Sequence, residues 1–178
     1  MNTKSIIFLF LFMIQSAFAQ DSFSISAQNG FVRRYGVENN GYSFGIAGRY
    51  YRDSKGAEIK IDYLSENYPD YKVKAKTLHL SASYMYFPTS FVYFLIGAGV
   101  NFEEYIEAFE PIPDEYKKET IGIILTGMGT LIPINRLLSC SLDIRYIMQD
   151  NDFEYLPLHK DFNYYYQLNF FISCKIFN

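Results

Sequence analysis

The amino-acid sequence predicts an all-β fold: an eight-stranded antiparallel transmembrane β-barrel of the outer-membrane type, after a cleaved signal peptide. Three observations predict it. Apolar and polar side chains alternate with a period of two in run after run. Short and long connections alternate between these runs, and an export signal opens the chain. After residue 19 the sequence has no stretch of 18 consecutive apolar residues, so it predicts no membrane helix.

The clearest alternation occupies residues 161–177. Its even positions are mostly apolar or aromatic and its odd positions mostly carry amide, hydroxyl or ammonium groups. Successive side chains of a strand point to opposite faces, so this period predicts a strand. A strand that crosses an outer membrane needs about 9–11 residues, apolar toward lipid and polar toward the lumen. We therefore predict that this run is one wall strand of a barrel.

Residues 1–19 are predicted to be a signal peptide, and residues 20–178 the barrel. Lys4 supplies the positive charge, residues 6–14 the apolar core, and Ala17-Phe18-Ala19 the cleavage signal. The alternative is a membrane anchor helix, but the apolar core is shorter than the ~20 residues that a spanning helix needs.

The composition is rich in aromatic residues and low in net charge. Aromatics make up 19% of the chain, as 17 Tyr and 17 Phe without Trp, and the net charge is −3. Tyrosine is favoured at membrane interfaces, where one end of the side chain is apolar and the other is wet. The charge gives no basic footprint, so we expect no direct nucleic-acid binding.

Eight runs alternate in this way, and in each the more apolar face is predicted to meet lipid. They are residues 23–33, 42–51, 57–64, 76–87, 91–102, 120–132, 137–149 and 161–177. In the sixth run the apolar face is assigned to Ile121, Ile123, Leu125 and Leu131, opposite Thr120, Gly122, Thr126 and Thr130. Asn29-Gly30 is expected to form a bulge in the first run.

The connections supply an independent argument. Those at 52–56, 88–90 and 133–136 are short, whereas the others include 103–119 and 150–160. Short periplasmic turns and longer extracellular loops are typical of outer-membrane barrels, so both termini are predicted to be periplasmic. A soluble lipocalin-like barrel, the alternative, would turn its apolar face inward and leave the charged face outside.

Charged side chains on the polar faces are predicted to form a structural network in the lumen. The residues are Arg49, Glu58, Lys60, Asp62, His79, Asp143, Arg145 and Lys175. An eight-stranded barrel is only wide enough for side chains to fill it, so these charges must pair with one another or with water. The alternative, an ion or proton path, would need a wider lumen or a moving plug.

The candidate catalytic groups are two histidines. His79 shares a face with Ser81 and Ser83, but a plugged lumen offers no substrate route. His159 lies near Asp152, Glu154 and Asp161 in a carboxylate-rich loop, and no H-E-x-x-H spacing occurs. We predict that the protein is not an enzyme and has no catalytic residue, cofactor or metal.

Cys140 and Cys174 fall on the apolar faces of the last two runs. In an exported protein two cysteines suggest a disulfide. Pairing about the loop centre would place them several residues out of register, beyond the reach of a bridge, so we predict free thiols. Oxidative pairing is the alternative.

Two loops combine acidic residues with aromatic and proline residues, a composition that suits contact with a protein, since aromatics are enriched in interface cores. The candidate contact residues are Tyr105, Phe109, Pro111 and Pro113 in the third outside loop and Phe153 and Tyr155 in the fourth.

The whole chain after residue 19 resembles the small eight-stranded outer-membrane β-barrel proteins. Several segments also resemble, in order, the conjugative-transposon TraO family of Bacteroidota. They are Gly41-Tyr42-Ser43-Phe44-Gly45-Ile46-Ala47, Tyr63-Leu64 with Tyr68-Pro69, Tyr84-Met85-Tyr86-Phe87, Phe94-Leu95-Ile96-Gly97-Ala98-Gly99 through Glu104, and the closing Phe170-Phe171-Ile172-Ser173-Cys174-Lys175-Ile176-Phe177-Asn178. The proline-rich acidic third loop departs from the family.

The family resemblance implies a cell-envelope component of a conjugative DNA-transfer apparatus. Its partners would be outer-membrane lipids and other transfer or envelope proteins, with no catalytic residue to carry over. Two alternatives remain at this point: a general surface barrel for envelope integrity or adhesion, and an outer-membrane enzyme that processes lipid or peptide.

Overall fold

The computed structural model describes residues 22–35, 40–69, 73–107, 118–149 and 164–177, and everything below concerns those ranges. They form eight strands: β1 (Ser22–Arg34), β2 (Asn40–Arg52), β3 (Lys55–Tyr68), β4 (Val73–Tyr86), β5 (Val92–Glu107), β6 (Lys118–Pro133), β7 (Leu138–Gln149) and β8 (Tyr164–Phe177). No helix in these ranges is long and apolar enough to cross a membrane.

The strands form one closed barrel in sequence order. Each pairs antiparallel with its neighbour in the chain, and β1 closes the ring against β8. The predicted fold, a closed antiparallel barrel of eight strands, is confirmed. Because the strand number is even, β1 begins and β8 ends at the same end of the barrel. We call this the terminal end, and the opposite one the distal end.

The outer surface carries an apolar belt. On β3 the outward side chains between Lys55 and Ser65 are Ala57, Ile59, Ile61 and Tyr63. At about 3.3 Å per residue and a strand tilt of ~35–45°, this interval gives a belt about 25 Å tall. That height matches the hydrocarbon band that an outer-membrane barrel must cover.

Aromatic side chains mark the two edges of the belt. At the terminal end Tyr50, Tyr84 and Tyr86 are exposed. At the distal end the Tyr164 ring centroid lies 5.4 Å from that of Tyr35 and 6.0 Å from that of Tyr146. The Tyr146 centroid in turn lies 5.2 Å from that of Tyr166. Such girdles lie at the membrane interfaces, where a tyrosine ring meets lipid and its hydroxyl meets water.

The predicted face of β6 is wrong. Ile121, Ile123, Leu125 and Leu131 point into the barrel, each at most 4% exposed, while Ile124, Met128 and Ile132 point outward. Both faces of β6 are apolar, so its own pattern is ambiguous. The register with β5 decides the matter, because the inward Leu125 and Ile123 lie opposite the inward Gly97 and Gly99.

The predicted bulge in β1 is also wrong. Asn29 and Gly30 pair without interruption with β2 and with β8, and the register irregularity lies at Phe23 and Ser24. Gly30 has a packing reason instead, because a Cβ there would lie 2.5 Å from the Leu168 carbonyl oxygen and 2.6 Å from Asn169 Oδ1.

Several strands extend farther at the distal end than predicted. β3 runs to Tyr68, β5 to Glu107, and β6 begins at Lys118, so the connection predicted at 103–119 is shorter. The outward residues there are polar, namely Ser65, Asn67, Lys76, Glu104 and Lys118. We call this extension the distal collar. The apolar alternation of the outer face ends at the collar, whereas backbone pairing continues through it.

Substitution of Gly99 tests the close packing of β5 against β4. We expect Gly99→Ala to destabilise the barrel by about 1–3 kcal/mol, because its Cβ would collide with the Leu80 carbonyl oxygen on β4. Gly122→Ala on the adjacent strand is the control, since no atom lies within 4 Å of the added Cβ. Urea unfolding in lipid vesicles measures both, and equal midpoints would contradict the argument.

Candidate functional site in the barrel interior

A cluster of charged side chains crosses the lumen. We call Arg49, Glu58, Asp143 and Arg145 the central cluster. The Glu58 carboxylate accepts hydrogen bonds from Arg49 Nε at 2.7 Å and from Arg145 Nη1 and Nη2 at 2.7 and 3.1 Å. Arg145 also donates to Asp143 at 2.7 Å. All four side chains are essentially inaccessible to solvent, and the four charges sum to zero.

Amide and hydroxyl groups extend the central cluster toward β1, β2 and β8. Asn169 donates to Asp143 Oδ1 at 2.9 Å, and Gln28 donates to Asn169 Oδ1 at 2.6 Å and to Ser43 at 2.9 Å. Lys60 Nζ bonds Asp62 Oδ2 at 3.1 Å and Gln167 Oε1 at 2.8 Å. Gln167 Nε2 donates to Ser43 Oγ at 2.9 Å, so the Lys60–Asp62 ion pair joins the central cluster through a continuous polar network.

Aromatic rings close the lumen toward the terminal end. We call Tyr51, Phe87 and Tyr93 the aromatic seal: the Phe87 ring centroid lies 5.5 Å from each of the other two. Tyr93 also donates its hydroxyl to Asp143 at 2.9 Å. Arg49 stacks 3.9 Å over the Phe171 ring, which gives the buried guanidinium a cation–π contact.

The structure brings together seven of the eight residues predicted for the lumen network. Arg49, Glu58, Lys60, Asp62, His79, Asp143 and Arg145 are all buried inside the barrel. Lys175 lies apart: it is half-buried at the terminal end of β8, opposite Ser24 on β1. No ion pair links Lys175 to another residue in the part of the chain that the structure describes.

A second charged cluster was missed by the sequence analysis. Arg34 pairs with Glu66 at 2.8 Å and with Glu103 at 3.1 Å, and Gln149 donates to Glu103. We call these four residues the distal cluster, which links β1, β3, β5 and β7 beneath the collar. Extending the two-residue alternation past the apolar belt would have found it, because all four occupy inward positions beyond the predicted strands or at their ends.

The candidate contact residues are only partly described. Tyr105 lies in β5 rather than in a loop, points inward, and donates its hydroxyl to Glu103 Oε2 at 2.9 Å. Phe109, Pro111, Pro113, Phe153 and Tyr155 lie outside the described residues, as do His159 and its acidic neighbours.

The two cysteines are free thiols on the outer face near the terminal end. Cys140 lies opposite Ile172 and Cys174 opposite Leu138, so they are diagonal neighbours two residues out of register. The offset is smaller than the several residues expected from the sequence. It still exceeds direct cross-strand pairing, since diagonal positions lie about 7–8 Å apart.

The polar side chains of the described interior are joined mainly by ion pairs and hydrogen bonds. His79 Nδ1 contacts Asn101 Oδ1 at 2.9 Å, and neither Ser81 nor Ser83 hydrogen-bonds it. Within the described ranges no group of three or more His, Cys, Asp or Glu side chains could hold a metal ion. The arrangement braces opposite walls of the barrel against one another.

Glu58 is the residue on which we expect this bracing to depend most. Glu58→Gln should destabilise the barrel by about 3–5 kcal/mol, because it leaves two buried arginines short of one negative charge. The control is Glu104→Gln, which breaks the exposed ion pair with Lys118 at 3.3 Å and should change stability little. Equilibrium urea unfolding of both variants provides the comparison, and similar small losses would refute the assignment.

Comparison with solved structures agrees with this architecture. The N-terminal β-barrel domain of OprF from Pseudomonas aeruginosa is 12% identical, with 88% of this chain and 100% of that chain covered and a TM-score of 0.51. Ail, an outer-membrane protein of Yersinia pestis, is 13% identical with the same coverage and a TM-score of 0.50. Neither a protein-family model nor a curated protein sequence matches the chain. The fold is that of the small outer-membrane β-barrels.

Proposed function

We propose that this protein is a non-enzymatic outer-membrane barrel that works through its extracellular surface, with the distal end extracellular and both termini periplasmic. The observation that carries the proposal is the filled lumen. The central cluster, the distal cluster and the aromatic seal occupy successive levels of the interior with large, mutually bonded side chains. A solute path would require these contacts to separate, so the activity belongs to the outside of the barrel.

The distal collar supports a partner-facing role. Its outward side chains are polar and stand beyond the apolar belt, while the distal cluster holds its inner side rigid. Residues 108–117 follow directly from the collar strands and contain Phe109, Pro111 and Pro113 among acidic residues. Aromatic residues on a rigid, charged platform are suited to binding a protein.

We further propose that the partner belongs to a conjugative DNA-transfer apparatus in the cell envelope. This step rests on the resemblance of several segments to the TraO family of conjugative transposons. The segments that carry it lie mainly on wall strands β2, β3, β4, β5 and β8. In this role the outer-membrane lipids surround the belt, and the collar with its loops contacts another envelope protein.

A second candidate is a general surface barrel for adhesion or envelope integrity. The collar would serve such a role equally well, and Ail, which shares the fold, is described as the attachment invasion locus protein. The two candidates differ in when the protein matters: during mating alone, or whenever the envelope or its surface is challenged.

Deleting the gene in a donor strain tests the proposal. We expect a large fall in transfer frequency that a plasmid copy restores, with unchanged resistance to detergent, because the barrel would serve the transfer machinery rather than the membrane itself. Unchanged transfer would exclude the transfer role. Detergent sensitivity or lost adhesion in the same strain would then favour the second candidate.

The complementing copy also locates the working surface. Replacing residues 108–117 with a Gly-Ser linker should abolish complementation, whereas the same replacement of the short turn at 88–90 should not. Surface labelling of each variant checks that the barrel is assembled. Full complementation by the loop variant would remove the loop from the proposal.

Residues 1–19 are proposed to be removed on export. We expect the mature protein recovered from outer membranes to begin at Gln20, since the small residues Ala17 and Ala19 fit the signal-peptidase site. Intact-mass measurement of the purified protein decides this, and a mass that retains residues 1–19 would favour an anchor.

A further inference from the structure

The inner face of β4 carries a row of buried polar groups without partners. Thr77 Oγ1, His79 Nε2, Ser81 Oγ and Ser83 Oγ make no hydrogen bond to any residue that the structure describes, and the same holds for Asp62 Oδ1 on β3. None of these five side chains is more than 6% exposed. Each atom left unpaired would carry a desolvation cost of about 1–3 kcal/mol.

The spacing of these groups suits bridging by a very small molecule. Alternate residues of a strand lie about 6.5–7 Å apart on one face. Two hydrogen bonds of about 2.8 Å through one water oxygen cover most of that distance, and small rotations of the hydroxyl groups supply the rest. The paired inward positions on β5 offer no side-chain partner, because Ser83 and Ser81 lie opposite Gly97 and Gly99.

The geometry at His79 identifies what the ligand must donate. Asn101 Nδ2 donates to the Tyr165 hydroxyl at 3.2 Å, so Asn101 Oδ1 faces His79 Nδ1 at 2.9 Å and accepts its hydrogen. In a neutral ring that leaves Nε2 as an acceptor. It lies 3.9 Å from Asp62 Oδ1, which is also an acceptor. Two acceptors at this separation cannot bond each other, but one molecule with two O–H groups can donate to both.

We propose that the inner wall of β3 and β4 binds a file of water molecules. One water donates to both His79 Nε2 and Asp62 Oδ1, and others join the hydroxyl groups of Thr77, Ser81 and Ser83. The file lies inside the closed barrel, where none of the side chains that bind it is more than 6% exposed. Water satisfies every acceptor and donor of the row, as buried waters commonly do in polar interiors.

Solid-state NMR of the ¹⁵N-labelled protein in lipid vesicles tests the water at His79. The chain has two histidines, so a His159→Asn variant leaves a single ring to observe. We expect a protonated Nδ1, an unprotonated Nε2 and magnetisation transfer from water to the ring. A protonated Nε2, whether in a charged ring or in the other neutral tautomer, would overturn the proposal, and so would the absence of transfer from water.

Substitution of the serines gives a second test, because the urea midpoint should shift in opposite directions in a hydrated and in a dry interior. Ser81→Ala and Ser83→Ala each remove a hydroxyl group with little change in side-chain size. Ser65→Ala on the outward face of the collar corrects for the different intrinsic preferences of serine and alanine for a strand. With bound water, both inner variants lose hydrogen bonds, so their urea midpoints fall below that of the control. In a dry interior both would rise above it, because an unpaired hydroxyl would have been removed. Neither result bears on the transfer experiment, so the two proposals fail independently.

Discussion

A carboxylate shared by two buried arginines is the constraint on which this barrel depends. Glu58 receives both guanidinium groups of the central cluster, and Asp143 completes the neutralisation. Removing ions from water costs several kcal/mol each, so these charges are tolerable only as a complete, mutually bonded set. Each strand that contributes a member must therefore stand in its correct register. The network therefore specifies the register in which the strands pair, and it also fills the interior of the barrel.

The inner and outer faces of the wall meet different physical requirements. Outside, the belt and its aromatic girdles match the lipid and its two interfaces, which requires little beyond alternation and length. Inside, a narrow and strongly curved cylinder must be packed without gaps. The inward glycines of β5 stand opposite Leu125 and Ile123 of β6, so large and small residues interlock across neighbouring strands. The lumen is consequently part ionic network and part apolar core, rather than uniformly polar.

The difference between the inner and outer faces indicates which part of the barrel is suited to binding a partner. Two charged clusters and the contacts of three aromatic rings link the strands across the lumen. The water file proposed along β4 would complete the hydrogen bonding there. Within the described barrel, the collar extends beyond the apolar belt, and the distal cluster links its strands on the inner side. A binding surface placed there would be preorganised by the distal cluster, which lowers the entropic cost of recognising a partner.

The sequence by itself determined the closed eight-stranded barrel and the outward face of the runs with one apolar side, such as Tyr42-Phe44-Ile46 on β2. A two-residue period, and the change from apolar to polar residues on the outward face, are local properties that can be read along a single strand. The face of β6 was beyond that reach, because Ile121 and Ile124 are equally apolar and only the register with β5 selects between them. The distal cluster was beyond it too, since Arg34 and Glu103 lie far apart in sequence and meet only across the closed lumen. Tertiary structure decided these points because contacts across a barrel depend on closure, stagger and side-chain volume, none of which is a property of one strand.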